Sequence, residues 1–520
     1  MRRLGFAFIA LFLAAVCAAS TPEEEVVNRI IEIGQTDNRT MDHLDVLSNR
    51  IGGRLVGSDA YANAVEWTAS QFRSWGMEVI LDEVGSVPVG FNRGPWFGRM
   101  LAEDGMTLHF ATPSYTSGTK GVQRGHVLME PKTRAEFERM KGKLDGAWVL
   151  ITGQNTGWPI DYSATGDSIR AEVIAENEEI TARNREITRE NRQNPDGEQQ
   201  PLLELRDEPA LFYKEMAEAG ILGIIQSSSV PIRALYDRKN IDDMTFETLP
   251  EIPDIKLNEH QYAVIEQKVK ERQYFQLEFD IRNHFKPGPV TYHNVIGVIP
   301  GTHYPDEYVM LGGHLDAFDV ATGGVDNGSG VSPAMETARL IMEAGGRPKR
   351  TILVTLWAAE EFGLVGSKSW VESNEDKWSG ISNYFNRDGG PMVASSLTVP
   401  EAMYDDFEKI CAPLNDINPE FPFTLNKRTG DPRPRPTSGG GSDHAYFALN
   451  GIPTIGFGTR DPKGYHFSYG EIWHTERDLY NMSIPEYQEH TSVVQAIVVY
   501  GLANLDHVLS REGLYLEEED

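Results

Sequence analysis

The chain is poor in cysteine, in basic residues and in long apolar runs, and each shortage excludes something. Only Cys17 and Cys411 occur among 520 residues. Cys17 falls in a leader-like segment, so the processed chain keeps one thiol and closes no internal disulfide. An exported protein of this size without disulfides suits a bacterial periplasm or medium better than an animal secretory route. Lys and Arg number 48 against 77 Asp and Glu, a formal charge of -29 with a pI near 4.9. Such a surface repels phosphate backbones and anionic lipid heads, which argues against nucleic acid as a partner. After the N-terminal run no segment approaches the ~20 apolar residues of a membrane-spanning helix, so no stable span is expected. What is present is core material: 40% of residues are hydrophobic and 24% charged, enough for two or three domains at roughly 100–200 residues each.

Arg2 and Arg3 precede the apolar run Leu4 to Val16, and small residues follow at Val16-Cys17-Ala18 and Cys17-Ala18-Ala19. These are the parts of a signal peptide over 1–19, which predicts a secreted or periplasmic protein. Lipid attachment at Cys17 fits poorly with Ala14-Ala15-Val16 before it.

Residues 26–80 alternate helical periodicity with glycine turns, as at the opening of an α/β domain. From about 84 to 290 short apolar runs, such as Ala147 to Ile151 and Ile221 to Ile225, are split by polar stretches, which reads as a separate inserted domain. Within it Ile169, Val173, Ile180 and Ile187 recur at spacings of four and seven in the charged segment 169–192. That is one narrow apolar stripe on a helix. It suits a solvated helix packed along the stripe, or alternatively a lid or homodimer contact. From His293 the α/β texture returns, with strands at Tyr308 to Gly312, Thr351 to Ala358, Ile381 to Phe385 and Pro453 to Phe457. Helices are expected at about 330–344, 364–373 and 485–509. The fold class is therefore α/β, a mostly parallel sheet with helices on both faces. In such sheets chemistry gathers at the carboxyl ends of the strands.

Four clusters stand there. Gly312-Gly313-His314-Leu315-Asp316 offers an imidazole with a carboxylate nearby, a common arrangement for a metal ligand and its orienting partner; alone it also describes a structural histidine. The glycine-rich Gly323 to Gly330 lacks the lysine of a phosphate-binding loop and carries Asp326 at its centre, where a cation would be welcome. Glu360 and Glu361 follow a buried strand, and neither ionises cheaply there without positive charge close by. Trp473 to Asp478 contributes His474, with His444 and His466 as competitors, and Asp388 follows another short strand. Nitrogen and oxygen donors without thiolates suit zinc, with cobalt or manganese as alternatives.

The order His-x-Asp, Asp-Asn-Gly, Glu-Glu, Asp, His-Thr-x-x-Asp resembles that of the co-catalytic di-zinc exopeptidases, which include bacterial leucyl aminopeptidase, carboxypeptidase Q and glutamate carboxypeptidase. Gly53 to Ser58, Phe91 to Pro95, His314 to Asp319 and Thr322 to Gly324 are most similar to the carboxypeptidase Q branch. Gly142 to Gly146 and Ala217 to Ile221 resemble its protease-associated insert, whereas Asn327 after the metal aspartate is aminopeptidase-like. The resemblance implies a zinc peptidase domain at 20–90 and 285–520, an insert at 91–284, and a peptide or dipeptide substrate. It implies two zinc ions, one on His314 and Asp388, the other on Glu361 and His474, bridged by Asp326. Glu360 would be the general base, Asp316 would hold the His314 ring from behind, and Asp478 would do related structural work. A cis peptide is implied at Asp326-Asn327. Arg433 and Arg435, between prolines, and His444 are candidates for gripping a substrate terminus; a rigid surface loop is the plainer account of the arginines. The ligands alone leave aminopeptidase, carboxypeptidase and dipeptidase open. A receptor-like relative that has lost ligands, or a single-zinc glutaminyl cyclase-like acyltransferase without the insert, are the alternatives.

Overall fold

The computed structural model describes residues 20–516, so the expected signal peptide at 1–19 lies outside the described residues. A five-stranded sheet carries the site. Its order is Glu78–Asn92, His284–Ile299, Arg350–Trp357, Tyr304–His314, Ile381–Asn386. The last three strands run parallel, whereas the first two join antiparallel. The sheet is thus mixed, two of its four pairings being parallel and two antiparallel, with His284–Ile299 alone running against the other four strands. Glu78–Asn92 and His284–Ile299 form one long ribbon, in register from Glu78↔Val298 to Asn92↔His284. Prolines hid this ribbon in the sequence: Pro88 falls at a register shift between Val87 and Val89, where the missing N–H costs no ladder bond.

Period-two alternation gives the sheet two apolar faces. Val295, Val309, Leu311, Ile352 and Val354 face a core shared with helices Asp59–Ser74, Gly328–Glu343 and Pro485–Ala503. Ile296, Met310, Leu353 and Trp357 face Trp370, Val371 and Phe447, on helices Val365–Ser373 and His444–Leu449. Helices therefore cover both faces. The segment 453–457, expected as a strand, is not one. It lies beside Ile381–Asn386, held by Tyr384 N–H donating to Pro453 O and by the Asn383 amide, which bonds both N–H and C=O of Ile455. A side chain replaces the ladder where Pro453 cannot donate.

A second, seven-stranded sheet is built from residues 96–281, in the order Trp96–Leu101, Gln276–Ile281, Gln123–Met129, Ala147–Asn155, Gly223–Ser228, Asp254–Asn258, Phe110–Ala111. It has a core on each face, one around Trp148 and Phe279, the other around Phe137 and Phe212. The charged helix spans Ala164–Gln193, capped by the Ser163 side chain. Val173 and Ile187 of the apolar stripe are buried, but Ile169 is exposed. The surprise is polar. Asn177, Asn184 and Asn191, seven residues apart, each pair their amide with both the N–H and C=O of one residue in the returning chain: Arg206, Leu203 and Gln200 respectively. The helix thus packs against an extended strap through asparagine side chains that supply the strap's backbone partners. Among the described residues no helix is long and apolar enough to cross a membrane.

Candidate metal centre

Because Tyr304–His314, Arg350–Trp357 and Ile381–Asn386 are parallel, their carboxyl ends share one edge of the sheet. His314 ends the first, Glu360 and Glu361 follow the second, and Asp388 follows the third. Asp326 arrives on the loop leading into Gly328–Glu343, and His474 follows the short helix Tyr469–Ile472. Ala359 in the left-handed region (φ 54) turns the chain out of its strand just before the two glutamates.

Two overlapping groups result, His314 with Asp326 and Asp388, and Asp326 with Glu361 and His474, with the facing donor atoms of each group within 4.8 Å of one another. Asp326 belongs to both. Its Oδ1 is 3.3 Å from His314 Nε2 and its Oδ2 is 3.7 Å from His474 Nε2. His314 Nε2 is 3.7 Å from Asp388 Oδ1, and His474 Nε2 is 3.0 Å from Glu361 Oε2. Glu360 stands just outside both groups, its Oε2 4.0 Å from His314 Nε2.

The surroundings ask for positive charge. Burial drives Glu361 well above the ordinary carboxyl range, with Asp326 adding to it, and drives Glu360 up to about 10. Burial alone would lower His314, yet Glu360 and Asp388 outweigh it and hold the imidazole well above its usual value. For His474 burial prevails and pushes the imidazole down to about 4, with Arg233 and His314 adding to it against Asp326. His314 Nε2 and Glu361 Oε1 are buried without a hydrogen-bond partner. Orphaned donor atoms, five nitrogen and oxygen side chains and no thiolate fit zinc ions, which would supply the missing charge.

Outside the ligand atoms the support differs from expectation at Asp316. The His314 ring Nδ1 meets the main-chain carbonyl of Asp316 at 2.9 Å, and the Asp316 carboxylate is 3.6 Å away. That carboxylate also accepts the backbone N–H of Glu360 and of Glu361, each at 3.2 Å. Its two oxygens, one to each amide, pin the two-glutamate turn. Asp478 Oδ1 similarly accepts from the N–H of Val325 and Asp326, at 2.7 and 3.2 Å. The Asp326-Asn327 peptide is cis.

Arg54 was missed by the sequence reading beyond its place in a motif. It is fully buried and donates to the carbonyls of Leu315 (2.8 Å), Leu47 (3.1 Å), Gly52 (3.2 Å), Thr322 (3.1 Å) and Gly323 (3.1 Å). It clamps the chain just after His314 and the loop just before Asp326 to the 47–52 segment. Gly323 has to be glycine here, since a Cβ would lie 2.8 Å from Arg54 Nη2 and 2.4 Å from the Ala317 Cβ, at φ +60.

A cavity of about 600 Å³ opens over four of the five side chains, Asp326, Glu361, Asp388 and His474, with His314 buried beneath them; it is walled by Trp158, Tyr236, Phe362, Tyr446, Tyr469 and Trp473, with Arg238 on its lining. Trp158, Tyr236 and Arg238 come from the 96–281 region, and Tyr236 stacks on Phe362 at 4.2 Å. Tyr469 Oη is 3.5 Å from Asp388 Oδ1. Arg433 and Arg435 are not brought to this cavity: Arg433 bridges to Tyr515 through its backbone, and Arg435 runs beside Gly451. Proline spacing turns them outward along the surface, where both are exposed. His444 sits behind the edge of the site, 3.4 Å from the Asn386 amide, and His466 is exposed. No residue of 169–192 lines the cavity.

Residues 294–498 match the model of Peptidase family M28. Carboxypeptidase Q of Mus musculus is 22% identical over 494 residues, covering 94% of this chain and 91% of its own. A probable glutamate carboxypeptidase of Arabidopsis thaliana is 34% identical over 227 residues, 41% of this chain and 32% of its own. The solved Peptidase M28 precursor from Shewanella amazonensis superposes with a TM-score of 0.56 at 19% identity, over 94% of this chain and 98% of that one. The zinc aminopeptidase BSAP from Bacillus subtilis gives 0.50 at 16% identity, over 92% and 97%. The mixed α/β fold is that of these structures.

Proposed function

We propose that the chain is a metal-dependent exopeptidase of the co-catalytic zinc family, near carboxypeptidase Q, and that it hydrolyses the peptide bond next to a free terminus of dipeptides or short peptides, using two zinc ions and Glu360 as general base. One observation carries the reading: the two oxygens of Asp326 face two different histidines, so a single carboxylate serves both groups. His314 and Asp388 would hold one ion, Glu361 and His474 the other, with Asp326 shared. When bound, zinc supplies Lewis acidity, polarising a carbonyl and making water acidic enough to lose a proton near neutral pH.

Glu360 adjoins a ligand in sequence but belongs to neither group, and it lines the cavity. Its carboxylate takes a proton from the attacking water and returns it to the leaving amine. Asp316 fixes the turn on which it stands, so the base and the neighbouring ligand keep their relative positions. The Tyr469 hydroxyl, at the cavity wall, donates to the substrate carbonyl oxygen as negative charge develops there. Aromatic walls exclude water around the bond. The segment 91–284 is in this reading a protease-associated-like inserted domain whose Trp158 and Tyr236 complete the cavity, and 1–19 directs the protein to a periplasm or the medium.

Glu360→Gln tests the assignment. Turnover of a dipeptide substrate falls by about 10²–10⁴-fold while zinc content is unchanged. A variant that keeps both zinc and activity removes Glu360 from the role.

A further inference from the structure

We propose that Arg238 is a specificity-determining residue that receives a carboxylate of the substrate. The inference rests on the exopeptidase reading and goes on to say which substrates that site prefers.

The argument begins with the charges of the cavity. Its four carboxylates, Asp326, Glu360, Glu361 and Asp388, are the proposed ligands and base. None is left over to pair with a substrate ammonium. Arg238 is the one lysine or arginine on the lining, and its guanidinium is committed to nothing: among the described residues it has no ion pair, side-chain hydrogen bond or ring contact. Elsewhere exposed or half-exposed arginines such as Arg99, Arg124, Arg206 and Arg282 each hold a carboxylate.

The backbone that carries Arg238 is also firmly placed. Its loop, 229–240, is tied at Leu235 N–H to Gly157 O, at Asp237 N–H to Ser114 O, and at Ile232 O to the N–H of Glu476 beside His474. Asn240 donates to the Asp237 carboxylate on either side of it. Tyr236, two residues before, is stacked on Phe362 of the glutamate turn. A guanidinium fork carried by this anchored loop to the rim of an otherwise aromatic wall matches the planar geometry of a carboxylate. Arg233, from the same loop, stacks on Trp473 at 4.6 Å but lines a neighbouring cavity.

The test compares three substrates on zinc-loaded protein: a free dipeptide, its carboxyl-terminal amide, and an amide with glutamate in second place. The first reads a terminal carboxylate, the third a side-chain one. Wild type prefers at least one carboxylate-bearing substrate over the plain amide by about ten-fold or more in kcat/KM, the scale of one charge-assisted pair. Arg238→Ala raises KM for that substrate by a similar factor, with kcat nearly unchanged, and leaves the plain amide unaffected; Arg238→Lys lies between. Arg238 is exposed, so folding is not at stake. Equal cleavage of all three by wild type, an equal loss on all three in Arg238→Ala, or loss of preference only in Arg233→Gln overturns the proposal and leaves the peptidase reading intact. No cleavage of any substrate by zinc-loaded wild type instead defeats the peptidase reading itself.

Discussion

Replacing Arg54 by methionine removes the clamp under the site while keeping most of the side chain's apolar volume. Five carbonyls lose a charged donor. Hydrogen bonds to charged groups contribute about 1.5–3 kcal/mol each, but not additively. Removing the guanidinium also relieves its desolvation, which is large enough to pull its pKa down to about 10. The net loss is then about 3–5 kcal/mol, the range for breaking a buried charged network. Because Leu315 adjoins His314 and Gly323 lies in the Asp326 loop, zinc affinity falls too, by about 10–100-fold as for other supports of metal ligands. Arg54→Lys restores the charge but only three of the donors, and recovers part of each. Urea unfolding with and without chelator, together with zinc titration, reads both quantities. An Arg54→Met protein within about 1 kcal/mol of wild type, binding zinc unchanged, refutes the reasoning.

His490 is buried against Phe421, and burial pulls its pKa down to about 4. The unfolded chain therefore takes up a proton near pH 6.5 that the folded chain refuses until about pH 4, so stability is full above 6.5 and is lost as pH falls through that window. His490→Gln shrinks the loss of stability between pH 7 and 4.5 by about 2 kcal/mol, measured by urea unfolding at the two pH values; an unchanged loss contradicts the assignment. Asn184→Ala removes both bonds to Leu203, worth about 1–3 kcal/mol together. The strap at 200–206 is then cut faster by a nonspecific protease while peptidase activity is retained; an unaltered cutting rate rejects the strap's dependence on the asparagines.

Residue type at strand ends was the most legible part of the sequence. His314 and Glu361 close strongly apolar runs, Asp388 follows a short one, Asp326 centres a glycine-rich loop and His474 lies in a polar run, and the structure brings all five together. Their supports were less legible, because they act through the backbone. The Asp316 carboxylate serves two amides besides standing behind the histidine ring, and Arg54 serves carbonyls that any residue could provide. Direction was also hidden: a hydrophobic run does not say whether it pairs parallel or antiparallel, and Pro88 broke the pattern of the ribbon strand. The asparagine ladder at 177, 184 and 191 escaped for a related reason, since a search for apolar periodicity passes over polar residues at the same spacing. Arg433 and Arg435 drew notice by composition, whereas Arg238 stands at the cavity through a fold contact between distant segments.

The account depends most on Asp326 serving two ions at once. Metal analysis by mass spectrometry of zinc-equilibrated, gel-filtered protein, wild type and Asp326→Ala, tests this directly. Two zinc ions per wild-type chain, with loss of zinc from both positions in the variant, is the expected result. One zinc or none in wild type, or two retained by Asp326→Ala, contradicts the shared centre.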